Sequence, residues 1–275
     1  MEAKNTSTWA EQFIETNGIR LCIHRTGGDK QPVVLLHGIT DNGLCWSRVA
    51  RALEGEFDVI MVDARGHGKS AIEQSDFSFG LMADDVAGLI QALDFQKPPI
   101  LGGHSMGGQV ATLVAARHPD LVSRIFLEDP AYFMKGSLRI LVKIALPFMM
   151  LEWRKNGKRN AAEIERTCRK RYPTWSDEEV VPWVTAQQEF GRNMVNGRLG
   201  KVDLFVDWRP VFSQIKCPVL LIIPSKGIMS LEQAESLEPL FGNLRIEYIA
   251  GAGHSVRREQ YEKYMAAVLA FCREP

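Results

Sequence analysis

The sequence predicts an α/β fold built on a doubly wound, mostly parallel sheet, and three observations support this prediction. Short, continuous apolar runs, such as residues 33–36 and 219–223, are typical of strands buried on both faces of a sheet. Segments with the apolar spacing of helices separate these runs. A glycine-rich turn around Ser105 joins an apolar strand to an apolar helix.

Strands and helices alternate along most of the chain. The predicted strands cover residues 19–25, 33–36, 57–62, 99–102, 125–127, 219–223 and 244–249. The predicted helices cover a short segment at 46–53, then 79–93, the segment from the serine turn to about 118, 231–237 and 259–272. A chain of 275 residues, 45% of them apolar, can bury the core of one large domain with an inserted subdomain.

The alternation stops between residues 131 and 210. This stretch has no strand-like run, but it has helical patterns, four of the six tryptophans and a basic cluster at 154–171. Ser176-x-x-Glu179 predicts a capping box at the start of one of its helices. We therefore expect residues 131–210 to form a helical cap inserted into a core made of residues 1–130 and 211–275.

Composition narrows the class of partner. Thirty-three basic and 33 acidic side chains give no net charge, which argues against a nucleic-acid partner. Five scattered cysteines without a Cys-x-x-Cys spacing indicate neither a disulfide framework nor a metal site.

The first 16 residues are polar, and charges and a proline interrupt the apolar stretch 138–151. We expect a cytoplasmic protein without stable membrane insertion, as a monomer or a homodimer.

The turn Gly103-x-Ser105-x-Gly107 has the form of a nucleophile elbow. A serine between a strand and a helix must take a strained backbone conformation, and glycines on either side relieve the crowding. The serine hydroxyl then stands clear of the sheet, above the N–H groups at the start of the helix.

Further motifs occur in order around this turn. His37-Gly38 follows a buried strand, and His254 closes a Gly-Ala-Gly-His loop after the last predicted strand. Between them lies the loop Asp63-x-Arg65-Gly-His-Gly-x-Ser, in which we expect Asp63 and Arg65 to form an internal ion pair. With these motifs the whole chain resembles the α/β-hydrolase superfamily, in particular its lid-bearing esterases, lipases and lactonases.

The resemblance implies a role for several residues. Ser105 matches the nucleophile and His254 matches the general base that accepts the hydroxyl proton. The backbone N–H groups of Ile39 and Met106 match the oxyanion hole. His37 is expected to orient the oxyanion loop. No cofactor or metal is expected to take part.

The acid of the triad departs from the usual family pattern. Members commonly carry it after the strand that follows the cap, but Gly227 stands there and no carboxylate occurs before Glu232. Asp129 ends the strand next to the elbow strand, a position that some members use, and we predict it as the acid. The alternatives are Glu128, Glu232 and Glu235, and Asp129 could also serve only to cap its loop.

The predicted substrate pocket involves the cap. Its candidate lining residues are His104, Phe133, Met134, Trp153 and Trp183, although aromatic residues at helical spacing are equally typical of a core. The expected function is hydrolysis of a small-molecule carboxylic ester or lactone through an acyl-enzyme. Alternatives on the same triad are a carbon–carbon bond hydrolase or an amidase, and a non-catalytic ligand receptor is the alternative outside enzymes.

Overall fold

The computed structural model describes residues 9–70, 75–132, 136–196 and 199–274. The strands in these ranges are β1 (Ala10–Thr16), β2 (Ile19–Arg25), β3 (Gln31–Leu36), β4 (Phe57–Val62), β5 (Ser75–Ser78), β6 (Ile100–His104), β7 (Arg124–Glu128), β8 (Leu199–Asp203), β9 (Val219–Lys226) and β10 (Leu244–Gly253). The helices are α1 (Ser47–Leu53), α2 (Phe79–Leu93), α3 (Met106–Arg117), α4 (Gly136–Asn156), α5 (Ala161–Arg171), α6 (Asp177–Asn196), α7 (Arg209–Phe212), α8 (Leu231–Glu235), α9 (Val256–Glu259) and α10 (Tyr261–Cys272).

The main sheet has eight strands in the order β1-β2-β4-β3-β6-β7-β9-β10. The pairs β1–β2 and β2–β4 are antiparallel, and the pairs from β4 to β10 are parallel. The predicted doubly wound, mostly parallel sheet is therefore confirmed. Because parallel strands end at the same edge, the loops after β3, β6, β7 and β10 meet beyond their carboxyl ends.

Two apolar layers cover the two faces of this sheet. Val33 and Leu35 of β3 belong to a cluster with α1 and α10, whereas Val34 and Leu36 belong to a cluster with α2 and α3. Successive side chains of a strand point to opposite faces, so a strand covered on both faces must be apolar throughout. This explains why the central strands were visible in the sequence as continuous apolar runs.

Three strands were not predicted, namely β1, β5 and β8. The expectation that residues 131–210 contain no strand is wrong, because β8 lies there and pairs with β5 in a separate two-stranded sheet. A strand that is paired only once needs no continuous apolar run, so its sequence carries little signal. β1 was also missed: its side chains are largely exposed or half-buried, and its sequence is accordingly polar.

The helices α4, α5 and α6 lie between β7 and β9 in the sequence. α6 packs against α4 and α5 and against the loop after β3. Two side-chain contacts fix this loop: Asn42 donates to Glu189 at 2.8 Å, and Gln187 donates to the Thr40 hydroxyl at 2.7 Å. Across the described ranges, no helix is long and apolar enough to cross a membrane.

Candidate active site

Ser105 sits between β6 and α3 in the conformation that an elbow requires. Its φ of 50° and ψ of −112° lie in a region that non-glycine residues rarely adopt. A Cβ atom at Gly103 would lie 2.4 Å from the carbonyl oxygen of Gly107, and one at Gly107 would lie 2.0 Å from that of Leu36. Both glycines are therefore required by close backbone contacts.

His254 and Asp129 form a hydrogen bond, although 125 positions separate them in the sequence. His254 Nδ1 donates to Asp129 Oδ2 at 2.7 Å, which leaves Nε2 of this tautomer as a proton acceptor. Asp129 is completely buried, and its carboxylate also accepts the N–H groups of Ile228 at 2.8 Å and Met229 at 3.1 Å. These contacts compensate the burial of its charge.

Gly227 provides the space for the Asp129 carboxylate. A Cβ atom at residue 227 would lie 2.4 Å from Asp129 Oδ2 and 2.7 Å from its Cγ. No side chain can therefore stand at position 227 while Asp129 keeps this position. The glycine at the usual place of the acid and the aspartate directly after β7 therefore depend on each other.

The other candidate acids have different surroundings. Glu128 is fully buried and binds Arg257 twice, through the backbone N–H at 2.9 Å and the guanidinium at 2.8 Å. Glu232 and Glu235 are exposed on α8. Among the described residues, only Asp129 of these four pairs with His254.

His37 supports the loop that contains the predicted oxyanion donor. Its Nε2 accepts the N–H of Ala64 at 3.0 Å, so Nδ1 carries the proton and donates to the Gly38 carbonyl at 2.8 Å. Burial of this neutral ring lowers the pKa of His37 to about 4. Ile39 then follows on the same loop, and Met106 begins α3, whose first N–H groups have no partner within the helix.

His104 lies directly against the His254 loop. It is buried, its Nε2 donates to the His254 carbonyl at 3.0 Å, and the two rings are 4.6 Å apart. Burial lowers its pKa well below the ordinary value, so the ring is neutral. His104 therefore holds the loop of His254 through its backbone.

A buried network of charges connects the His254 loop to α6. Arg257 binds Glu128 and Asp41, and Arg258 binds Asp41 at 2.9 Å and Glu179 at 3.2 Å. All five side chains are buried. Sequence reasoning missed this network: the two arginines directly after the histidine loop were the only signal, and their partners are distant in the sequence.

Two smaller predictions about ion pairs and caps are wrong. Glu179 forms no capping box with Ser176, because its carboxylate is drawn to Arg258 instead. Arg65 pairs with Asp85 at 2.6 Å and not with Asp63. Asp63 instead accepts the backbone N–H groups of two loops. In both cases a more distant partner replaces the local one.

A cavity of about 420 Å³ opens above Ser105 and His254. From the sheet side it is lined by Gly38, Ile39, Thr40, His104, Ser105 and His254. From the helical side its lining includes Trp153, Asn156, Arg159, Arg171, Trp175 and Trp183. Of the five predicted pocket residues, His104, Trp153 and Trp183 line this cavity, and Phe133 and Met134 lie outside the described residues.

The described residues contain one cluster with the donor types of a metal site. Ligand atoms of Glu11, Cys22 and His24 lie within 4.8 Å of one another on β1 and β2. Glu11 already pairs with Lys69 at 2.5 Å, and burial raises the pKa of the Cys22 thiol to about 12, both of which oppose metal binding. None of these residues lines the cavity above Ser105.

Comparison with known proteins agrees with this architecture. A family model described as alpha/beta hydrolase fold matches residues 31–160. The crystal structure of an N-formylmaleamic acid deformylase from Pseudomonas putida shares 26% sequence identity and a TM-score of 0.73, covering 94% of this chain and 100% of that one. The chain has the α/β-hydrolase fold.

Two curated relatives match this chain over nearly its whole length. N-formylmaleamate deformylase of Pseudomonas putida is 26% identical over 268 residues, which are 95% of this chain and 96% of the relative. The 2-(acetamidomethylene)succinate hydrolase of Mesorhizobium japonicum is 27% identical over 263 residues, which are 90% of each chain. The predicted hydrolase is thereby confirmed at the level of enzyme class.

Proposed function

We propose that the chain is a serine hydrolase that acts through an acyl-enzyme, with Ser105, His254 and Asp129 as its triad. The observation that carries the proposal is the 2.7 Å hydrogen bond between His254 and the buried Asp129, formed at the cavity that Ser105 also lines. A carboxylate in this position holds the imidazole in the tautomer that accepts the serine proton, and it stabilises the imidazolium that results.

The proposed reaction has two halves. In the first, Ser105 Oγ attacks the substrate carbonyl, His254 takes the hydroxyl proton, and the oxyanion accepts the N–H groups of Ile39 and Met106. Collapse of the tetrahedral intermediate breaks the bond to the leaving group, which receives the proton from His254. In the second half, water gives a proton to His254 and attacks the acyl carbon. Collapse of this second intermediate breaks the bond to Ser105 Oγ, which takes the proton back from His254, and the acid is released.

The helices after β7 are proposed to act as the substrate-selecting cap of residues 131–210, on a core of residues 1–130 and 211–275. Their contribution to the cavity lining supports this role. The proposed partner is a small molecule, because the cavity has the volume of a small-molecule site. We also propose that the protein binds no nucleic acid, does not insert stably into membranes, and exists as a monomer or homodimer.

Two bond types are proposed for cleavage. A carboxylic ester or lactone is the substrate class expected from the motifs. An amide is the second candidate, which the names of the two long relatives favour, since one is a deformylase of N-formylmaleamate and the other hydrolyses an acetamidomethylene compound. Cleavage of either bond begins with attack on a carbonyl and passes through an oxyanion. The two reactions differ in the leaving group: an amine leaves less readily than an alcohol, so amide cleavage depends more on the proton that His254 gives.

The experiment is active-site labelling with a fluorophosphonate, together with turnover of matched aryl esters and aryl amides. We expect stoichiometric labelling of the wild type and its loss in Ser105→Ala. Ser213→Ala is the matched control, because Ser213 is exposed on the surface at the end of α7. A wild-type protein that is folded but neither labelled nor active would instead indicate a ligand receptor. Labelling without ester or amide turnover would favour a carbon–carbon bond hydrolase.

A further inference from the structure

We propose that Arg171 is an anion-recognition residue of the cavity and that the substrate carries a carboxylate which binds it. This inference deepens the proposed function and rests on it, because it names the substrate class of the same site. Three features of the described residues support it: the place of Arg171 on α5, the charge balance of the cavity lining, and the aromatic rings that support its side chain.

One face of α5 lines the cavity that contains Ser105. Ile164, Thr167, Cys168 and Arg171 all contribute to the lining, and their spacing of three and four residues places them along one side of the helix. Ile164 and Cys168 are buried, while Arg171 is exposed at the end of α5. On this side of α5, the apolar side chains of Ile164 and Cys168 are therefore followed by the positively charged guanidinium of Arg171.

The other charged groups of the lining already have partners. Arg258 is buried between Asp41 and Glu179, which neutralise it. Arg159 approaches Glu152 at 3.8 Å and donates to the Asn156 side chain at 2.8 Å.

Arg171 differs from these residues in its surroundings. Within the part of the chain that the structure describes, its guanidinium has no carboxylate partner. The guanidinium carbon lies 5.3 Å from the centre of the Tyr172 ring. The lining thus retains one positive charge that no carboxylate neutralises. A single positive charge matches the single negative charge of a carboxylate, which arginine binds through two parallel N–H···O bonds.

Aromatic rings support this end of the cavity. Tyr172 stacks on Trp175 at 4.1 Å with only 6° between the ring planes, and Trp175 in turn lies 4.6 Å from the guanidinium of Arg258. Trp183 meets both rings edge-on. A side chain that rests on such a rigid stack loses less conformational entropy when it binds a ligand, so Arg171 is suited to fix the orientation of a substrate.

Matched substrate pairs test the proposal by turnover. One pair places the charge on the leaving group (4-acetoxybenzoate and 4-acetoxybenzamide), and the other places it on the acyl side (monomethyl terephthalate and methyl 4-carbamoylbenzoate). We expect the wild type to prefer the carboxylate in at least one pair. Arg171→Met is expected to lower that preference by about 10- to 100-fold, because a hydrogen-bonded ion pair commonly changes binding by about this factor.

Arg166→Met is the matched control, because Arg166 is exposed on the same helix and does not line the cavity. It removes the same charge from the basic surface of residues 154–171 without touching the site. Equal losses in both variants would show a general surface field and overturn the proposal. An unchanged preference in Arg171→Met, or no preference in the wild type, would overturn it as well.

A binding measurement separates this inference from the proposed reaction. Calorimetric titration of Ser105→Ala with succinate needs no turnover. We expect binding that Arg171→Met weakens by about 10-fold or more and that Arg166→Met leaves unchanged. If no ester or amide is cleaved but this binding pattern is found, the proposed function fails and the anion site stands. If esters or amides are cleaved but succinate binding does not depend on Arg171, the anion site fails alone.

Discussion

Replacing Gly227 with alanine tests the link between this glycine and the candidate acid. The new Cβ atom would lie 2.4 Å from Asp129 Oδ2, whereas Cβ atoms do not approach other heavy atoms within 3.0 Å, so the carboxylate must move by about 0.6 Å. Such a shift breaks the 2.7 Å contact with His254 or loosens the contacts with Ile228 and Met229. Since misplacement of about 1 Å can cost about 10²-fold, we expect kcat to fall by about 10- to 100-fold.

The assay is steady-state hydrolysis of the best substrate found in the labelling and turnover panel, with urea unfolding to show that the variant is folded. Gly242→Ala is the matched control, because a Cβ atom there meets nothing within 4 Å. If Gly227 acts only through Asp129, adding Gly227→Ala to an Asp129→Asn protein should lower kcat no further. Wild-type kcat in Gly227→Ala would refute the argument that this glycine makes room for a catalytic carboxylate.

Two further predictions concern stability, and both are measured by urea unfolding. Arg257→Met leaves the buried Glu128 without its cation and should cost about 3–5 kcal/mol, whereas Arg273→Met, which breaks an exposed pair, should change stability little. For His37 the unfolded ring binds a proton below its ordinary pKa of 6.5, while the folded ring binds one only near pH 4. The contribution of the neutral His37 ring to the free energy of unfolding should therefore be complete above pH 6.5 and fall by up to about 3 kcal/mol towards pH 4. His37→Gln should make the free energy of unfolding depend less steeply on pH over this range. An equally steep slope in His37→Gln would contradict the assignment.

The sequence predicted the central strands well because their burial leaves a direct trace in the residue types. The predicted segments 19–25 and 57–62 coincide with β2 and β4, and the helix at 79–93 coincides with α2. Strands such as β1, at the end of the main sheet, and β8, in the two-stranded sheet, are not recognisable in this way. They bury at most one face, so their sequences need no continuous apolar run.

The candidate site was predictable where a motif fixes the local backbone. The sequence predicts the elbow at Ser105 because Gly103 and Gly107 stand where no larger residue fits. The structure has the strained backbone expected there, with a positive φ at Ser105. The choice of Asp129 depended on the resemblance and on Gly227, whose lack of a side chain the structure explains.

Long-range partners could not be predicted from the sequence. Arg257 and Arg258 find carboxylates that lie between 79 and 217 positions away, and nothing in a single sequence states which charges will meet. The predicted pair of Asp63 and Arg65 failed for this reason. The partner of Arg65 is not the nearest opposite charge in the sequence, because the fold places the buried carboxylate of Asp85 on α2 beside it.

The measurement that tests the central claim most directly is the kcat of Asp129→Asn, beside Glu128→Gln and Glu232→Gln. Asparagine keeps the shape of the side chain but cannot hold His254 in the same tautomer, so we predict a fall of about 10⁴-fold in a folded protein. Glu232→Gln should remain near wild type because Glu232 is exposed. Glu128→Gln should act on stability more than on kcat, because Glu128 pairs with Arg257. Near-wild-type turnover by Asp129→Asn would contradict the account and show that this carboxylate is not the acid of the triad.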